Sequence, residues 1–376
     1  MWPRDDFLEL LGITHPVIQA PMSGVAPPAL AAAVCSAGGL GSIGCAGRPL
    51  ATVREEVAAF RQVTNRPFNL NFFVHARPRT NPKATARVRA KLAPYFEEFG
   101  LGAVPEPKEP FPPFDAEALD LVLELRPRVV SFHFGLPENS AVQRIKNAGC
   151  IILSSATTVA EARLLEANGA DVVIAQGFEA GGHRGSFSAS PGAGMVGTMA
   201  LVPQIVDAVR VPVIAAGGIA DGRGLAAAFA LGASGAQIGT AFLGCPEAAI
   251  SPLYRAQLRT AADDGTEVTR AFTGRPARAL RNRFIMEMAD TEPLEFPLQG
   301  SLAGPLWQLP SEEARVSFMP VWAGQAASLM RDLPAGQLIE KLVAEAKSII
   351  AGVAPAGCRR RHSAVAVDRS PRIESN

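Results

Sequence analysis

A histidine at position 183 sits in a glycine-rich run, Gln176-Gly177-Phe178-Glu179-Ala180-Gly181-Gly182-His183-Arg184-Gly185. An imidazole takes or gives a proton near neutral pH, and flanking glycines let the backbone approach a bound molecule closely. A lone histidine is more often structural, but this one follows an apolar run, where a barrel keeps its chemistry. Two further runs are Ile214-Ala215-Ala216-Gly217-Gly218-Ile219-Ala220-Asp221-Gly222 and Gln237-Ile238-Gly239-Thr240. In each, a short apolar stretch ends in glycine. Such turns aim backbone N–H groups at an anion, and a helix start adds partial positive charge. Thr240 adds a hydroxyl. Either turn alone is readily a tight strand-to-helix connection; the pair points to one phosphate of a nucleotide-type ligand.

Asn71, in Asn69-Leu70-Asn71-Phe72-Phe73, offers a donor and an acceptor, matching the mixed edge of an isoalloxazine or pterin ring. Strand alternation puts Asn69 on the same side, so one of the two serves as packing support. Gln19-Ala20-Pro21-Met22-Ser23-Gly24 ends another apolar run in a turn suited to lie against a flat ring. His133, in Ser131-Phe132-His133-Phe134-Gly135, faces either the site or the core, and His75 is equally open. His15 and His362 are expected at the surface. The chain has no P-loop, no GxSxG elbow, no HExxH, and no GxGxxG as a strand–helix turn, so a Rossmann dinucleotide domain is unsupported.

The elements that must position these residues repeat. Eight short apolar runs, 16–22, 40–46, 68–74, 129–135, 150–156, 171–177, 212–218 and 235–242, lack alternation, as strands buried on both faces do. Helical patterns fall between them at 27–37, 51–61, 115–126, 138–147, 158–168, 200–209 and 221–232. Thr158 and Glu161 have capping-box spacing. Strand–helix alternation to eight strands, with phosphate turns at the seventh and eighth, predicts an α/β protein of the (β/α)₈ TIM-barrel class. The barrel is expected over 10–245 plus 321–352, with helices at 322–331 and 335–350. Residues 246–320 are expected to form a small helical and loop cap inserted after strand 8. Residues 76–114 read as an extended excursion around a short helix at 87–99. The basic, polar stretch 355–376 lacks an apolar face and is expected to be disordered.

The totals agree with one such unit. The chain has 376 residues, is 48% hydrophobic, and carries a net charge of +1, which gives no electrostatic footprint for nucleic acid or an anionic membrane. Its five cysteines, Cys35, Cys45, Cys150, Cys245 and Cys358, are scattered without metal-ligand spacing, which suggests free thiols in a reducing compartment and no metal site. The start Met1-Trp2-Pro3-Arg4-Asp5-Asp6 is unlike the basic start of a signal peptide, and a cytoplasmic location is expected.

Taken together, Gln-Ala-Pro-Met at 19–22, Asn-Leu-Asn-Phe-Phe at 69–73, Ser154-Ser155-Ala156-Thr157 with Glu161-Ala162, Glu-Ala-Gly-Gly-His-Arg-Gly at 179–185, Ala-Gly-Gly-Ile at 216–219, Gln-Ile-Gly-Thr at 237–240 and Pro320-Val321-Trp322-Ala323-Gly324-Gln325 resemble the nitronate monooxygenase family, formerly 2-nitropropane dioxygenase. The resemblance runs from about residue 10 to 350. It implies a barrel with tightly bound, non-covalent FMN that oxidises alkyl nitronates with O₂, propionate 3-nitronate foremost. Residue by residue, it implies His183 as the catalytic histidine and Asn71, Gln176, Gly181, Gly218, Gln237, Ile238, Gly239 and Thr240 as FMN contacts. Met22 would lie against the flavin, and Ala20, Pro21, Gly182 and Gly217 join the cofactor set. His133, Ser23 and Trp322 are candidates for the substrate pocket. His133 departs from the smaller or hydroxyl-bearing residue expected in that strand. The expected partners are a small nitronate and O₂, with a homodimer left open. A flavin-dependent enoyl-acyl-carrier-protein reductase or an NAD(P)H:quinone reductase would share these features, and a flavin-free phosphate-binding barrel would share the glycine turns.

Overall fold

Each of the eight apolar runs contains a strand of one parallel barrel. The computed structural model describes residues 2–188 and 193–353. The strands are β1 (Val17–Gln19), β2 (Gly41–Gly44), β3 (Phe68–Phe73), β4 (Val129–His133), β5 (Ile151–Ala156), β6 (Val172–Gln176), β7 (Val213–Ala216) and β8 (Gly235–Ile238). From β2 to β8 each pairs in parallel with the next, β8 pairs with β1, and an isolated Ile18–Leu40 bridge closes the ring between β1 and β2. Most strands are shorter than the apolar runs because the last residues of those runs turn out into the rim. In the eighth run, 240–243 is already a short helical turn.

The intervening helices start where the capping chemistry dictates. Pro28 opens Pro28–Ser36, and the side chain of Asp115 caps Ala116–Leu125. Thr158 caps Val159–Ala167 by accepting from the Glu161 N–H. The Glu161 carboxylate does more than close a capping box. It accepts from the Thr157 N–H and hydroxyl, and from the N–H groups of Phe187 and Ser188 beyond strand β6. A closing helix, Ala335–Val353, packs against Gly222–Ala230 and Pro28–Ser36. The contact is tight enough that a Cβ on Gly222 would lie 2.6 Å from the Ala346 nitrogen.

Ahead of the first strand, Asp6–Leu11 is a helix whose Phe7, Leu8 and Leu11 are buried in the barrel core. Three expectations need correction. The helix expected at 87–99 begins at Pro82, because Asn81 caps it by accepting from the Lys83 and Ala84 N–H groups and Pro82 suits the first turn. Residues 322–331 are not a helix. Trp322 bridges Ala279, Leu280 donates to the Val321 carbonyl, and only Ala327–Leu329 turns, as a 3₁₀ segment. Finally, 76–114 is not a separate excursion. Its helix Pro82–Glu98 buries Val88, Leu92, Tyr95 and Phe96 against Phe272, Phe284 and Phe318 from the 246–320 segment. These two stretches share one apolar core and build one lobe beside the barrel mouth.

The lobe also carries the strands Thr266–Thr269 and Ala277–Leu280, an antiparallel pair. The second pairs with Gly182–His183, with Ala277 opposite His183 and Arg278 opposite Gly182. The glycine-rich histidine segment is therefore zipped to the lobe as the edge of a three-stranded sheet. Cys35, Cys45, Cys150 and Cys245 are buried and free. The expectations for 355–376, His362 and Cys358 lie outside the described residues. Among the described residues no helix is long and apolar enough to cross a membrane.

Candidate active site

The C-terminal ends of the strands and the lobe enclose a cavity of about 550 Å³. Of the residues singled out in the sequence, Ala20, Pro21, Met22, Ser23, Asn71, His133, Gln176, Gly181, Gly182, His183, Gly217, Gly218, Gln237, Gly239, Thr240 and Trp322 all line it. Ile238 does not; its side chain is buried in the barrel core, and its carbonyl accepts from the Ala20 N–H. Asn69 is the packing partner of the asparagine pair: fully buried, it donates to the Ser42 hydroxyl.

On the barrel side, Asn71 sits opposite Ser131 in the β3–β4 register and donates to its hydroxyl at 2.9 Å and its carbonyl at 3.2 Å. That fixes the amide with its oxygen left for the cavity. The Gln237 Oε1 is buried with no partner. An orphaned acceptor on a cavity wall is costly unless a ligand donor meets it.

The two glycine turns behave differently from the expectation in one respect. The first N–H groups of helix Gly222–Ala230 are already taken. Gly222 donates to Glu345, while Arg223 and Gly224 donate to Asp221, so this helix start holds carboxylates of the chain itself. The loop N–H groups ahead of it are different: among the described residues, no hydrogen bond occupies the backbone N–H of Gly218, Ile219, Gly239 or Thr240. Gly217 and Gly218 have φ of +113° and +71°, which disfavours any side chain there. Glu179 props this loop by accepting from the Thr198 N–H and hydroxyl. A Cβ on Gly181 would lie 2.5 Å from the Gly324 nitrogen, so the 181 and 324 backbones close the floor together. These features fit a flavin mononucleotide: free loop amides for a phosphate, amide groups for a ring edge, and Ala20, Pro21 and Met22 for a ring face.

His183 is held from several sides. Its carbonyl accepts from the Gln176 amide at 2.9 Å and from His133 Nε2 at 3.1 Å. The Gln176 oxygen in turn accepts from the Gly185 N–H. Gln176 thus holds the loop through one N–H and its oxygen, and its second N–H is left for the cavity it lines. His133 is committed too, because with Nε2 donating, its Nδ1 accepts from Ser155 at 3.1 Å. Ser23 spends its hydroxyl on the Ala46 carbonyl. The His183 ring bonds through Nε2 to Thr273 at 2.9 Å and packs among Phe73, Phe134, Phe296 and Trp322. Burial, helped by His133 and Arg275, pushes its pKa down to about 3. It is therefore neutral throughout the physiological range. Burial likewise takes His133 down to about 4.

Sequence reasoning missed Thr273, Arg275, Phe296 and Trp307. All come from the lobe, and no local pattern marks them. Arg275 stacks 3.8 Å above the Phe134 ring and donates to the Ser186 carbonyl. Two buried arginines also went unread. Arg184 donates to the carbonyls of Gln176, Gly177 and Gly194, and Arg278 to that of Phe178, which pins the histidine loop from beneath.

The family model for nitronate monooxygenase matches residues 4–345. A nitronate monooxygenase of Paraburkholderia phytofirmans is 42% identical, covering 91% of this chain and 95% of the relative. One of Pseudomonas aeruginosa is 44% identical, covering 91% and 99%. Among solved structures, a nitroalkane oxidase from Streptomyces ansochromogenes superposes with a TM-score of 0.84 at 38% identity, over 92% of this chain and 99% of that one. FabK from Thermotoga maritima gives 0.73 at 31%, over 93% and 98%. With the barrel, the histidine loop and matches that span nearly its whole length, the chain belongs to the nitronate monooxygenase family of flavin-dependent oxidoreductases.

Proposed function

We propose that this protein uses FMN to oxidise alkyl nitronates with O₂, giving a carbonyl compound and nitrite or nitrate. Two nitronates and one O₂ balance to two carbonyls and two nitrites. The observation that carries this reading is a neutral His183 beside the orphaned Gln237 oxygen and the free loop amides, in one cavity. The N–H groups of Gly218, Ile219, Gly239 and Thr240 would hold the phosphate, and Asn71 and Gln237 the ring edge. When bound, the isoalloxazine supplies the electron transfer between nitronate and O₂.

The chain's own residues do the rest. A nitronate arrives already deprotonated, so no base is needed. A histidine held neutral by burial leaves an anion unchallenged by a competing proton. For a neutral nitroalkane, His183 would have to take the α-proton, and its depressed pKa makes that slow. Propionate 3-nitronate, the substrate implied by the resemblance, adds a second negative charge, and a cavity lining without lysine or arginine among the described residues argues against it.

The test is a visible spectrum of the pure protein, followed by anaerobic addition of ethyl nitronate or NADH in separate cuvettes. We expect a yellow protein bleached by the nitronate. Bleaching by NADH alone would favour the FabK-like reading, and a colourless protein that refuses FMN would sink the flavin reading altogether.

A further inference from the structure

Resting on the nitronate reading above, we propose that the substrate carries an apolar alkyl or aryl chain and a single negative charge, seated against Phe111, Leu243, Phe296 and Trp307, rather than a carboxylated chain.

Among the described residues no lysine or arginine lines the cavity. The ionisable lining groups are Glu179, His133, His183 and Tyr254. Glu179 is bound to Thr198, both nitrogens of His133 are engaged, and the Tyr254 hydroxyl donates to the Trp322 carbonyl. That leaves neutral His183, which answers no second charge. The lobe's share of the wall is Phe296, Gly300, Trp307, Pro297 and Phe111, met from the barrel side by Val25 and Leu243. This surface suits hydrocarbon.

Arg275 lies behind the wall and is not part of it. Its guanidinium is spread on the Phe134 face and bonded to Ser186. From there its charge reaches the His183 region, where it favours one anion without contacting it. A nitronate spends that field. A carboxylate further along the chain would be buried against aromatic rings with no cation to pair it and only the unpartnered Trp307 N–H to answer it, whereas each methylene placed there gains from leaving water.

The experiment uses the full-length, FMN-loaded protein. O₂ uptake is measured with ethyl, butyl and hexyl nitronates, propionate 3-nitronate, and its shape-matched apolar counterpart, 3-methylbutyl nitronate. Binding is read separately, from the flavin difference spectrum on adding redox-inert carboxylates, hexanoate against succinate. We expect kcat/KM to rise by up to about 4-fold per added methylene before levelling off. The 3-methylbutyl compound should exceed propionate 3-nitronate by about 10-fold or more, and hexanoate should bind more tightly than succinate. Trp307→Lys supplies the missing cation and should shift the preference toward propionate 3-nitronate. Phe111→Lys, in a loop, makes the same test if the first variant folds poorly. Propionate 3-nitronate matching its apolar counterpart, succinate binding as tightly as hexanoate, or folded, yellow variants with an unmoved preference would each overturn the proposal. If no nitronate of either kind is oxidised, it is the broader nitronate reading that has failed.

Discussion

The cavity has two walls of different origin. The barrel wall is made of strand ends and glycine turns, and it presents amides: Asn71, Gln237 and the free N–H groups of the last two rims. The lobe wall comes from segments far away in sequence, and it presents rings: Phe111, Phe296 and Trp307. On the flavin reading, the phosphate would be met by backbone, which side-chain substitution cannot easily erase, with Asn71 and Gln237 adding side-chain amides at the ring. A substrate is met by side chains on irregular segments, free to change without disturbing the barrel. His183 stands at the seam, because its own strand pairs with the lobe while its carbonyl is held by barrel residues.

The hardest test of the barrel wall is Gly181→Ala. The added methyl would meet the backbone nitrogen of Gly324, which cannot step aside as a flexible side chain would. We expect most of the FMN to be lost on purification, read as the ratio of 450 nm to 280 nm absorbance. A variant that keeps full flavin occupancy would mean that the barrel floor tolerates loosening and that the two walls are not distinct in what they hold.

The seam is tested by His183→Ala. Turnover of neutral nitroethane should fall by about 10² or more, since a base is lost, while ethyl nitronate turnover stays within about 10-fold. With His183 pushed down to about 3, wild-type kcat/KM for the nitronate should show no histidine limb between pH 5.5 and 9. Equal losses on both substrates would remove the division of labour between a base and a mere wall.

The same division explains what the sequence disclosed. Barrel strands are local and repetitive, so eight apolar runs, their helices and the two glycine turns were readable, with only their ends misplaced. The Asn81-Pro82 helix start was readable too, but the proline content around it outweighed the capping signal. The lobe was not legible. Its core joins Val88 and Leu92 to Phe272 and Phe318, and nothing local in either segment names the other. Thr273 reaches His183 across 90 residues of chain. For Gln176 and His133 the residues were found and one of their tasks was not: both line the cavity, and each also holds the His183 carbonyl. Only partner geometry separates a residue that touches a ligand from one that aims its neighbour.

The smallest expected effect concerns the lobe wall's underside. His75 is buried between Phe111 and Phe296, and neither ring nitrogen has a hydrogen-bond partner. Burial, with Arg275 and Arg77 nearby, pushes its pKa down to about 4. The unfolded chain therefore binds a proton here at a pH where the folded chain does not. By linkage, the protonation of this histidine takes nothing from stability above about pH 6.5, and folding stability declines as pH falls from there toward 4. His75→Phe removes that proton uptake and two orphaned nitrogens while keeping a ring of similar size. Melting temperature measured from pH 7.5 to 4.5 should thus fall less steeply in the variant, with the two curves separating below pH 6.5. At neutral pH the variant should be at least as stable as the wild type, because an unpaired buried polar group is replaced by hydrocarbon. Flavin occupancy should not change, since His75 belongs to the lobe side. Parallel curves would mean that the imidazole reaches water or an acceptor in solution. Lost flavin would tie the lobe's packing to the cofactor and erase the contrast between the two walls.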